Sequence, residues 1–577
     1  MSVIRRALLS RNIVDYTKVI FPGSRSFATD DAANILKSES SDVTVPDITI
    51  PELIRSKLER NHRYTAVECA STGRSYTFGQ VRTKSMNLSR ALRHKLKLKP
   101  GDVVAVFSSN IPEFSIVILG LLEARLVPTT LNPLYTQNEV STQLLDSSAK
   151  AIIVQSKAYS IAKAALDLMK LQIPIIVIKE NQADSLPQGA ISLQEFVDSK
   201  IDIPDLEPGT GDDLAFLPYS SGTTGLPKGV ELLHRNIVSN VMQASHIDFK
   251  FTTDPSDTYQ DVTPGVLPFY HIYGFTVSVI NTLYHGTKVV TLEKFTPDLY
   301  ISVLKNNPIS LIYAAPPLIL FLSAHPDVKK EYFAHLISVT SGAAPLGLLD
   351  EERFIEKIGR DVQVFQGYGL TETSPIVTFS PKGLRRSESS AGSIGVPVPN
   401  TLLKLIAPDD PTGTPLGPNQ TGELLVKGPQ VMRGYHNRPE ETKNAFLDGW
   451  FKTGDIAYYN DKRLVFITDR LKELIKVKGF QVAPAELEAI LRNYHAVEDA
   501  AVIGIPHPLF GEVPRAYIVP KKDVPLKVED LNQYVNDKVA KYKRLEGGVQ
   551  IIDVIPKNPS GKILRRQLRL KYDENEI

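Results

Sequence analysis

The sequence predicts an α/β protein, with a large N-terminal domain of layered α/β sheets and a small C-terminal α+β domain. Short apolar runs such as Val103–Ser108 and Ile175–Ile178 alternate with helical segments along most of the chain, and this alternation is typical of largely parallel sheets. After Pro484 the order changes to helix, strand, strand, helix. We therefore predict a large domain over residues 30–470 and a small domain over residues 471–577.

Each element is predicted from a local pattern of residues. A buried strand shows as a short apolar run between turn residues, and a helix shows as a longer segment with apolar residues on one side. The predicted strands of the large domain are Val103–Ser108, Ala151–Gln155, Ile175–Ile178, Glu423–Val426 and Leu464–Thr468. Its helix is predicted at Ile111–Leu122, and the Gly- and Pro-rich stretch Ala407–Asn419 predicts a turn-rich connection. The small domain is predicted to contain helices Glu486–Asn493 and Val528–Tyr542 and strands Ala500–Ile505 and Arg515–Pro520.

Composition and charge exclude several classes of protein. Of the 577 residues, 66 are basic and 64 are acidic, which gives a net charge of +2, so no basic excess indicates a nucleic-acid partner. No apolar stretch of the sequence reaches the ~20 residues that a membrane span needs. Cys69 is the single cysteine, which excludes an internal disulfide and a cysteine-based metal site. We expect Cys69 to be a small buried side chain rather than a reactive thiol.

The first 29 residues differ from the rest of the chain. Five basic residues stand against one acid, Asp15, and apolar residues recur at helical spacing between Ile4 and Ile13. An Arg-rich, acid-poor, amphipathic start is typical of a mitochondrial transit peptide, which predicts the mitochondrial matrix as the location. The alternatives are a disordered basic tail and a cytoplasmic protein. The C-terminal residues Asn575–Ile577 are not the Ser-Lys-Leu signal of peroxisomal proteins.

The strongest local signal for chemistry is the segment Ser220–Val230. It contains four hydroxyl side chains, three glycines and Lys228. Glycines let successive backbone N–H groups approach an anion, hydroxyls add donors, and the lysine adds positive charge. This composition indicates polyphosphate binding, although the order is not that of a Walker A loop. A flexible linker would have a similar composition, and composition alone does not separate the two.

Five segments occur in the order in which the adenylate-forming superfamily has them. Ser220–Val230 resembles its phosphate loop, and the others are Gln366–Glu372 (adenine and magnesium), Trp450–Asp455 (ribose), Asp469–Val482 (hinge) and Pro556–Ile563 (adenylation lysine). Gly422–Gly428 is similar to a signature of 4-coumarate–CoA ligases, with Leu425 where that signature has cysteine. The resemblance identifies the chain as a 4-coumarate–CoA ligase-like acyl-CoA synthetase. It also implies a β-barrel-like subdomain in the large domain and a mobile small domain.

The resemblance implies a set of residues that make an acyl-adenylate from ATP. Lys562 would bring positive charge to the α-phosphate, Glu372 would hold Mg²⁺, and Thr371 would lie beside them. Asp455 would bind the ribose hydroxyls and Arg470 the nucleotide, although singly such residues are more often solvated charges or structural ion pairs. The other ATP- and AMP-binding positions are Ser220, Ser221, Gly222, Thr223, Thr224, Lys228, Gln366 and Gly367.

A second set of residues is implied for the acid. His271 would contact the carboxylate as a catalytic residue, although a lone histidine is more often structural. The acyl site would be lined by Tyr273, Ala343 and Phe379. Gly274–Phe275 departs from the Ala/Ser–Leu pair typical of plant 4-coumarate–CoA ligases, and this departure leaves the shape of the acid open.

A third set serves transfer to coenzyme A. Lys472 would be the hinge about which the small domain rotates between the two half-reactions. Rotation would withdraw Lys562 and bring other residues of the small domain to the site. The implied CoA-binding residues are Lys294, Lys478 and Gly479, and Lys476 and Gln481 would serve thiolation.

We therefore predict an ATP-dependent acid–CoA ligase that uses ATP, Mg²⁺ and coenzyme A. The acid is predicted to be a medium- or long-chain fatty acid or a 4-coumarate-like aryl acid. Two alternatives remain: a luciferase-like monooxygenase that acts through the adenylate, and a binding protein that kept the fold and lost catalysis. The intact Lys562, Glu372 and Asp455 argue against the second. The protein is expected to be a monomer or a homodimer without nucleic-acid partners.

Overall fold

The computed structural model describes residues 34–575, except 182–183, 202–205, 221–226, 345, 385–389, 391, 409, 472, 478–479, 509, 540 and 558–560. At Arg470, Phe480, Gln481 and residues 573–575 it describes the backbone alone. The predicted transit peptide, residues 1–29, therefore lies outside the described residues.

The strands, in chain order, are β1 (Leu36–Lys37), β2 (Thr65–Cys69), β3 (Ser75–Thr77), β4 (Val103–Phe107), β5 (Val127–Leu131), β6 (Ala151–Gln155), β7 (Ile175–Ile178), β8 (Ile191–Ser192), β9 (Leu214–Phe216), β10 (Tyr219–Ser220), β11 (Lys228–Leu233), β12 (Val262–Gly265), β13 (Lys288–Thr291), β14 (Leu311–Ala314), β15 (Ser338–Ser341), β16 (Val364–Gly369), β17 (Ile376–Phe379), β18 (Val396–Pro397), β19 (Leu402–Ile406), β20 (Gly422–Lys427), β21 (Gly434–Tyr435), β22 (Phe446–Leu447), β23 (Trp450–Tyr459), β24 (Val465–Arg470), β25 (Ile475–Val477), β26 (Phe480–Val482), β27 (Val497–His507), β28 (Gly511–Pro520) and β29 (Val549–Ile551).

The α-helices are α1 (Ile50–Arg60), α2 (Phe78–His94), α3 (Glu113–Glu123), α4 (Gln137–Asp146), α5 (Tyr159–Met169), α6 (Leu193–Val197), α7 (His234–Ala244), α8 (Asn281–His285), α9 (Pro297–Asn306), α10 (Pro316–Ala324), α11 (Leu348–Ile358), α12 (Pro439–Asn444), α13 (Pro484–Arg492), α14 (Val528–Asn536) and α15 (Arg565–Asn575). A π-helix, Gly274–Ile280, runs directly into α8. Within the described part of the chain, none of the helices is both long and apolar enough to span a bilayer.

Local sequence explains why several helices begin where they do. Threonines at positions 49, 77 and 136 precede α1, α2 and α4, and each accepts a hydrogen bond from the backbone three residues later. The side chain at that third position bonds back to the threonine backbone, which completes a capping box. The capping boxes thereby give hydrogen-bond partners to backbone N–H groups of the first turn, which have none inside the helix.

Two sheets of the large domain carry the layered α/β part of the fold. One has the order β5-β4-β6-β7-β8 and is parallel throughout. Its central strands β4 and β6 are buried along their whole length, because helices cover both faces. The other runs β14-β15-β16-β17-β18, parallel up to β16 and antiparallel after it. The predicted fold class is confirmed.

An antiparallel sheet closes the large domain at the region implied to be barrel-like. Its order is β1-β19-β20-β23-β22, and β24 pairs with β23. From β25 onward the strands pair in a separate sheet, β26-β25-β28-β27 with β29 on β28, and this sheet packs with α13 and α14 around its own core. This separate sheet and its core form the small C-terminal α+β domain. The exact domain boundaries stay predictions.

Most of the predicted elements exist, with shifted ends. Strands β6 and β7 have the predicted bounds, and β27 and β28 extend beyond them. The helix predicted over Val528–Tyr542 is wrong in its second half, since α14 ends at Asn536 and a 3₁₀ turn follows at Lys541–Lys543. The last buried residue of α14 is Val535, and the Asn536–Asp537 pair that follows favours a turn over a helix interior. Cys69 is buried and unbridged, as predicted.

Candidate active site

A cavity of about 1010 Å³ lies at the carboxyl ends of β14, β15 and β16. Ligands of open α/β sheets bind at this edge, because the loops that leave the strands there leave a crevice. Gly342 and Ala343, which follow β15, line the cavity, and so do residues 367–369 at the end of β16. Lys562, from the small domain, lines the same cavity. The cavity is thus built from both domains.

The ends of the predicted phosphate loop are held together at one end of this cavity. Ser220 and Lys228 are directly paired across the β10–β11 ladder. The Lys228 side chain forms an ion pair with Glu441 and lies 5.2 Å above the centre of the Tyr435 ring. Four predicted loop residues, Ser221, Gly222, Thr223 and Thr224, lie outside the described residues.

Glu372 lies in a network of hydroxyl groups that includes Ser220, the ladder partner of Lys228. Its Oε1 accepts hydrogen bonds from the Ser220 hydroxyl at 3.0 Å and the Tyr435 hydroxyl at 3.1 Å. The side chain is buried yet lines the cavity. No cluster of three or more His, Cys, Asp or Glu side chains suited to a metal occurs among the described residues. One carboxylate that bonds to Ser220, at the start of the predicted phosphate loop, fits Mg²⁺, which is commonly held by one or two carboxylates together with phosphate oxygens and waters.

The predicted nucleotide-binding residues Asp455 and Arg470 come from neighbouring strands. They are opposite each other across the β23–β24 ladder. Asp455 is buried, and its Oδ2 accepts a hydrogen bond of 2.6 Å from the Tyr368 hydroxyl. The backbone N–H of Gly454 donates to Glu423 Oε1 at 3.2 Å. Sequence analysis predicted Asp455 and Arg470 but missed Tyr368 and Glu423. Tyr368 and Glu423 both lie inside the segments that carried the resemblance.

Gln366 and Gly367 are adjacent in β16 but have different surroundings. The carboxamide of Gln366 accepts from the Leu346 N–H and donates to the Leu346 carbonyl, at 3.2 Å each, and the residue does not line the cavity. Gly367 does line it, and a Cβ there would lie 2.9 Å from Phe379. Gln366 therefore holds the loop after β15 in place, whereas Gly367 leaves room for the Phe379 ring. Thr371 also lines the cavity.

The predicted acyl residues lie together in the wall. His271, Tyr273, Ala343 and Phe379 all line the cavity. The Tyr273 hydroxyl donates to the Ala314 carbonyl at 3.4 Å, and burial raises its pKa. Ala343 has a φ of +70°, a left-handed conformation that is strained for alanine. Such strained positions cluster at functional sites.

His271 is neutral at physiological pH. Burial lowers its pKa to about 4. Its Nδ1 accepts a hydrogen bond from the Tyr273 N–H at 3.3 Å. In the neutral ring the proton then resides on Nε2, so the imidazole can donate one hydrogen bond to a ligand in the cavity.

Of the residues implied for transfer to coenzyme A, only Lys294 and Lys476 have side chains within the described part of the chain. Lys294 and Lys476 are absent from the cavity wall, and the backbone N–H of Lys476 donates to Glu512 at 2.9 Å. Lys472, Lys478 and Gly479 lie outside the described residues, as does the side chain of Gln481. Gly561, which precedes Lys562, has a φ of +83°, and a Cβ there would lie 2.7 Å from Pro317. The backbone next to Lys562 therefore packs closely against Pro317 of the large domain.

Comparison with family models covers both domains. Residues 54–436 match the model described as AMP-binding enzyme, and residues 486–562 match the AMP-binding enzyme C-terminal domain. The chain belongs to the AMP-binding enzymes. This family is the adenylate-forming superfamily whose motifs the sequence carries, and the residues matched by the two models include Lys228, Glu372 and Lys562.

Relatives of this AMP-binding enzyme include several ligases. It is 37% identical over 559 residues to 4-coumarate-CoA ligase 2 of Narcissus pseudonarcissus, covering 95% of this chain and 96% of the relative. It is 38% identical over 554 residues to 4-coumarate--CoA ligase-like 9 of Oryza sativa subsp. japonica, covering 94% and 96%. These similarities make the protein an acid–CoA ligase of the 4-coumarate–CoA ligase-like type.

Solved structures of AMP-binding enzymes share the fold. ATP-bound MatB from Rhodopseudomonas palustris aligns with a TM-score of 0.80 at 28% identity, over 91% of this chain and 99% of that one. The o-succinylbenzoate CoA synthetase MenE from Bacillus subtilis, in complex with an acyl-adenylate intermediate, aligns with a TM-score of 0.75 at 25% identity, over 91% and 98%.

Proposed function

We propose that the protein joins a hydrophobic carboxylic acid to coenzyme A in two steps at the cavity. ATP and the acid first give acyl-adenylate and pyrophosphate, and the CoA thiol then displaces AMP. The observation that carries the proposal is that Lys562 of the small domain lines the same cavity as Lys228, Thr371 and Glu372. A triphosphate bound there would be contacted from both domains.

The first step joins two anions, so positive charge decides its rate. A carboxylate oxygen attacks the α-phosphorus, and the bond to pyrophosphate breaks with charge moving onto the phosphate oxygens. Lys562 stabilises that charge at the α-phosphate, and Lys228 holds the leaving pyrophosphate. His271, neutral with its proton on Nε2, donates to the acid and orients the attacking oxygen.

Glu372 would hold Mg²⁺, which would neutralise negative charge on the triphosphate. The hydroxyls of Ser220 and Tyr435 fix the direction of that carboxylate, since both donate to Oε1. Preorganised groups of this kind lose little free energy to reorganisation when a substrate binds.

The second step needs a different arrangement of the same parts. We propose that the small domain turns about Lys472, which withdraws Lys562 and brings Lys476, Lys478, Gly479 and Gln481 toward the acyl-adenylate. Neither Lys476 nor Lys294 lines the cavity. Their absence supports this proposal, because the described conformation has Lys562 of the small domain at the cavity instead.

The acid is proposed to be a fatty acid of medium or long chain or an aryl-propenoic acid. Aromatic and small side chains surround the acyl part of the cavity, including Tyr273, Phe379, Phe249 and Ala343. Relatives named 4-coumarate–CoA ligases support the aryl acid.

We also propose a mitochondrial matrix location, because residues 1–29 have the composition of a transit peptide. To test this location, the chain is expressed with a C-terminal fluorescent tag, and the tag is compared with a mitochondrial dye.

A panel of acids tests the function. Purified protein is incubated with ATP, Mg²⁺, CoA and fatty acids of increasing length or cinnamic acids, and AMP, pyrophosphate and CoA esters are quantified. CoA esters with stoichiometric AMP are the expected result. Absence of AMP with every acid would refute the proposal, and oxygen uptake without CoA ester would favour the luciferase-like alternative, which no observation on the site supports.

A further inference from the structure

Part of the cavity wall is a loop that contains neither helix nor strand. Residues 245–252, which we call the wall loop, follow α7, and the last four of them line the cavity. The ring of Phe249 meets the ring of Phe379 edge-on, with 6.2 Å between their centroids, and the ring of Phe251 lies 6.3 Å from that of Phe379. The wall loop therefore packs its aromatic rings on a predicted acyl residue.

Other side chains of the wall loop contact the N-terminal strap, which we define as residues 34–48. The Ser40 hydroxyl donates to Asp248 Oδ2 at 2.5 Å, and the Ser41 hydroxyl lies 3.2 Å from His246 Nε2. Neither Asp248 nor His246 lines the cavity. The wall loop therefore lies between the strap and the cavity, with its polar side chains toward the strap and its aromatic rings toward the cavity.

The strap is itself fixed to the antiparallel sheet of the large domain. Its strand β1 pairs with β19, and Leu36 is buried in the core beside that sheet. Farther along, Asp42 Oδ1 accepts the Asn400 N–H at 2.7 Å, and Asn400 Oδ1 accepts the Val43 N–H at 3.0 Å. The two serines of the strap lie between these attachments. A hydroxyl on a fixed backbone can hold its acceptor with little further loss of conformational entropy.

We propose that the strap positions the wall loop and thereby strengthens binding of the acid, with Ser40 and Asp248 as positioning residues. The inference rests on the proposed function, because it takes the cavity beside Phe379 as the acyl site. A loop without a helix or a ladder depends on side-chain contacts for its order, and a hydrogen bond to a carboxylate is among the stronger of these. Without that bond the Asp248 carboxylate turns to water, and Phe249 and Phe251 lose their fixed place against Phe379.

Ser40→Ala tests the positioning role. We expect the KM for the acid to rise about fivefold, the effect of losing one hydrogen bond, while kcat and the KM for ATP stay within about twofold. The rise is limited because the Lys382 N–H still donates to the Asp248 carbonyl at 2.9 Å. Steady-state kinetics with each substrate varied in turn measure this split. A general loss of folded enzyme would lower kcat instead and leave the KM for the acid unchanged.

Ser38→Ala is the matched control, because its hydroxyl lies in the same strap and has no hydrogen-bond partner among the residues that the structure describes. It should keep the wild-type KM for the acid. Adding Ser40→Ala to Asp248→Ala should raise this KM no further than Asp248→Ala alone, because both changes remove the same hydrogen bond. An unchanged KM in Ser40→Ala, an equal rise in Ser38→Ala, or independent effects of the two changes would overturn the inference.

Hydrogen exchange measures the order of the wall loop without any substrate. The N–H groups of Phe249 and Lys250 both donate to the His246 carbonyl. We expect them to exchange about fivefold faster in Ser40→Ala than in the wild type, and at the wild-type rate in Ser38→Ala. Equal exchange in all three proteins overturns the inference alone, whereas no CoA ester from any acid overturns it together with the proposed function.

Discussion

At the scale of single residues, Lys228 and Glu372 both have polar partners within the site. Lys228 is bound to Glu441, and Glu372 is bound by the hydroxyls of Ser220 and Tyr435. If Lys228 binds phosphate as proposed, the Glu441 carboxylate beside it would repel the triphosphate while it holds the lysine. The proposed reaction then requires this ion pair to open when ATP binds.

Glu441→Gln should tighten the binding of ATP and pyrophosphate. Loss of the competing carboxylate is worth about 1 kcal/mol for a partly exposed pair, or about fivefold in Kd. Calorimetric titration of the variant with each ligand measures the change. Glu440→Gln is the control, because Glu440 is exposed and neighbours the pair. Weaker binding by Glu441→Gln would show that Glu441 supports the ligand rather than competing with it.

Lys562→Ala should abolish adenylate formation, with a loss of about a hundredfold or more in pyrophosphate release. Thioester formation from a supplied acyl-adenylate should persist, because Lys562 acts only in the first step. Lys557→Ala provides a control in the same segment, since Lys557 is paired with Asp499 instead. Release of pyrophosphate at the wild-type rate by Lys562→Ala would mean that another residue activates the phosphate.

At the scale of elements, the close packing of β16 on β17 shapes the cavity. Gly367 and Phe379 are paired across this ladder, and the Phe379 ring stacks on Phe365 with a centroid distance of 6.0 Å. The ring occupies the space in which a side chain at position 367 would lie. The glycine is therefore required by its neighbour in the sheet.

Gly367→Ala should raise the KM for the acid about tenfold, because the new methyl group lies 2.9 Å from Phe379 and pushes the ring into the cavity. Steady-state kinetics with varied acid and saturating ATP measure the change. Gly347→Ala is the control, because the nearest atom to its Cβ is 3.4 Å away. A KM that does not change in Gly367→Ala would show that Phe379 moves away from the acid.

At the scale of the whole molecule, buried histidines link stability to pH. His234 joins α7 to α1 by accepting the Ile50 N–H at Nδ1, at 3.1 Å. Burial lowers its pKa from 6.5 to about 4. Between these values the unfolded chain binds a proton that the folded protein does not bind. The free energy of unfolding therefore rises with pH in this window, and the contribution of the neutral His234 is lost as the pH falls.

Each such histidine should destabilise the protein by up to about 1.4 kcal/mol per pH unit below pH 6.5. Urea unfolding between pH 7 and pH 5 measures this slope. His234→Gln, which keeps an acceptor for the Ile50 N–H but does not titrate, should show a shallower slope than the wild type. Equal slopes would assign the pH dependence to other groups.

Local pattern determined most of the elements and the class of chemistry. β6 and β7 are predicted to the residue because a run of β-branched residues between turns has few other structures open to it. The end of α14 was missed because helix termination depends on where burial stops, which is a property of the packed domain. The phosphate segment and the adenylation lysine were recognisable because each is contiguous in the chain.

The sequence by itself determined the family, the α/β fold and the residue types of the site, because these depend on contiguous segments and on periodicity. Only the tertiary structure decided which residues meet. Glu441 pairs with Lys228 from 213 positions away, Tyr435 bonds to Glu372, and Gln366 turns from the cavity to Leu346. Pairing of distant residues depends on how the sheets and helices pack, and no local pattern along the chain carries that information.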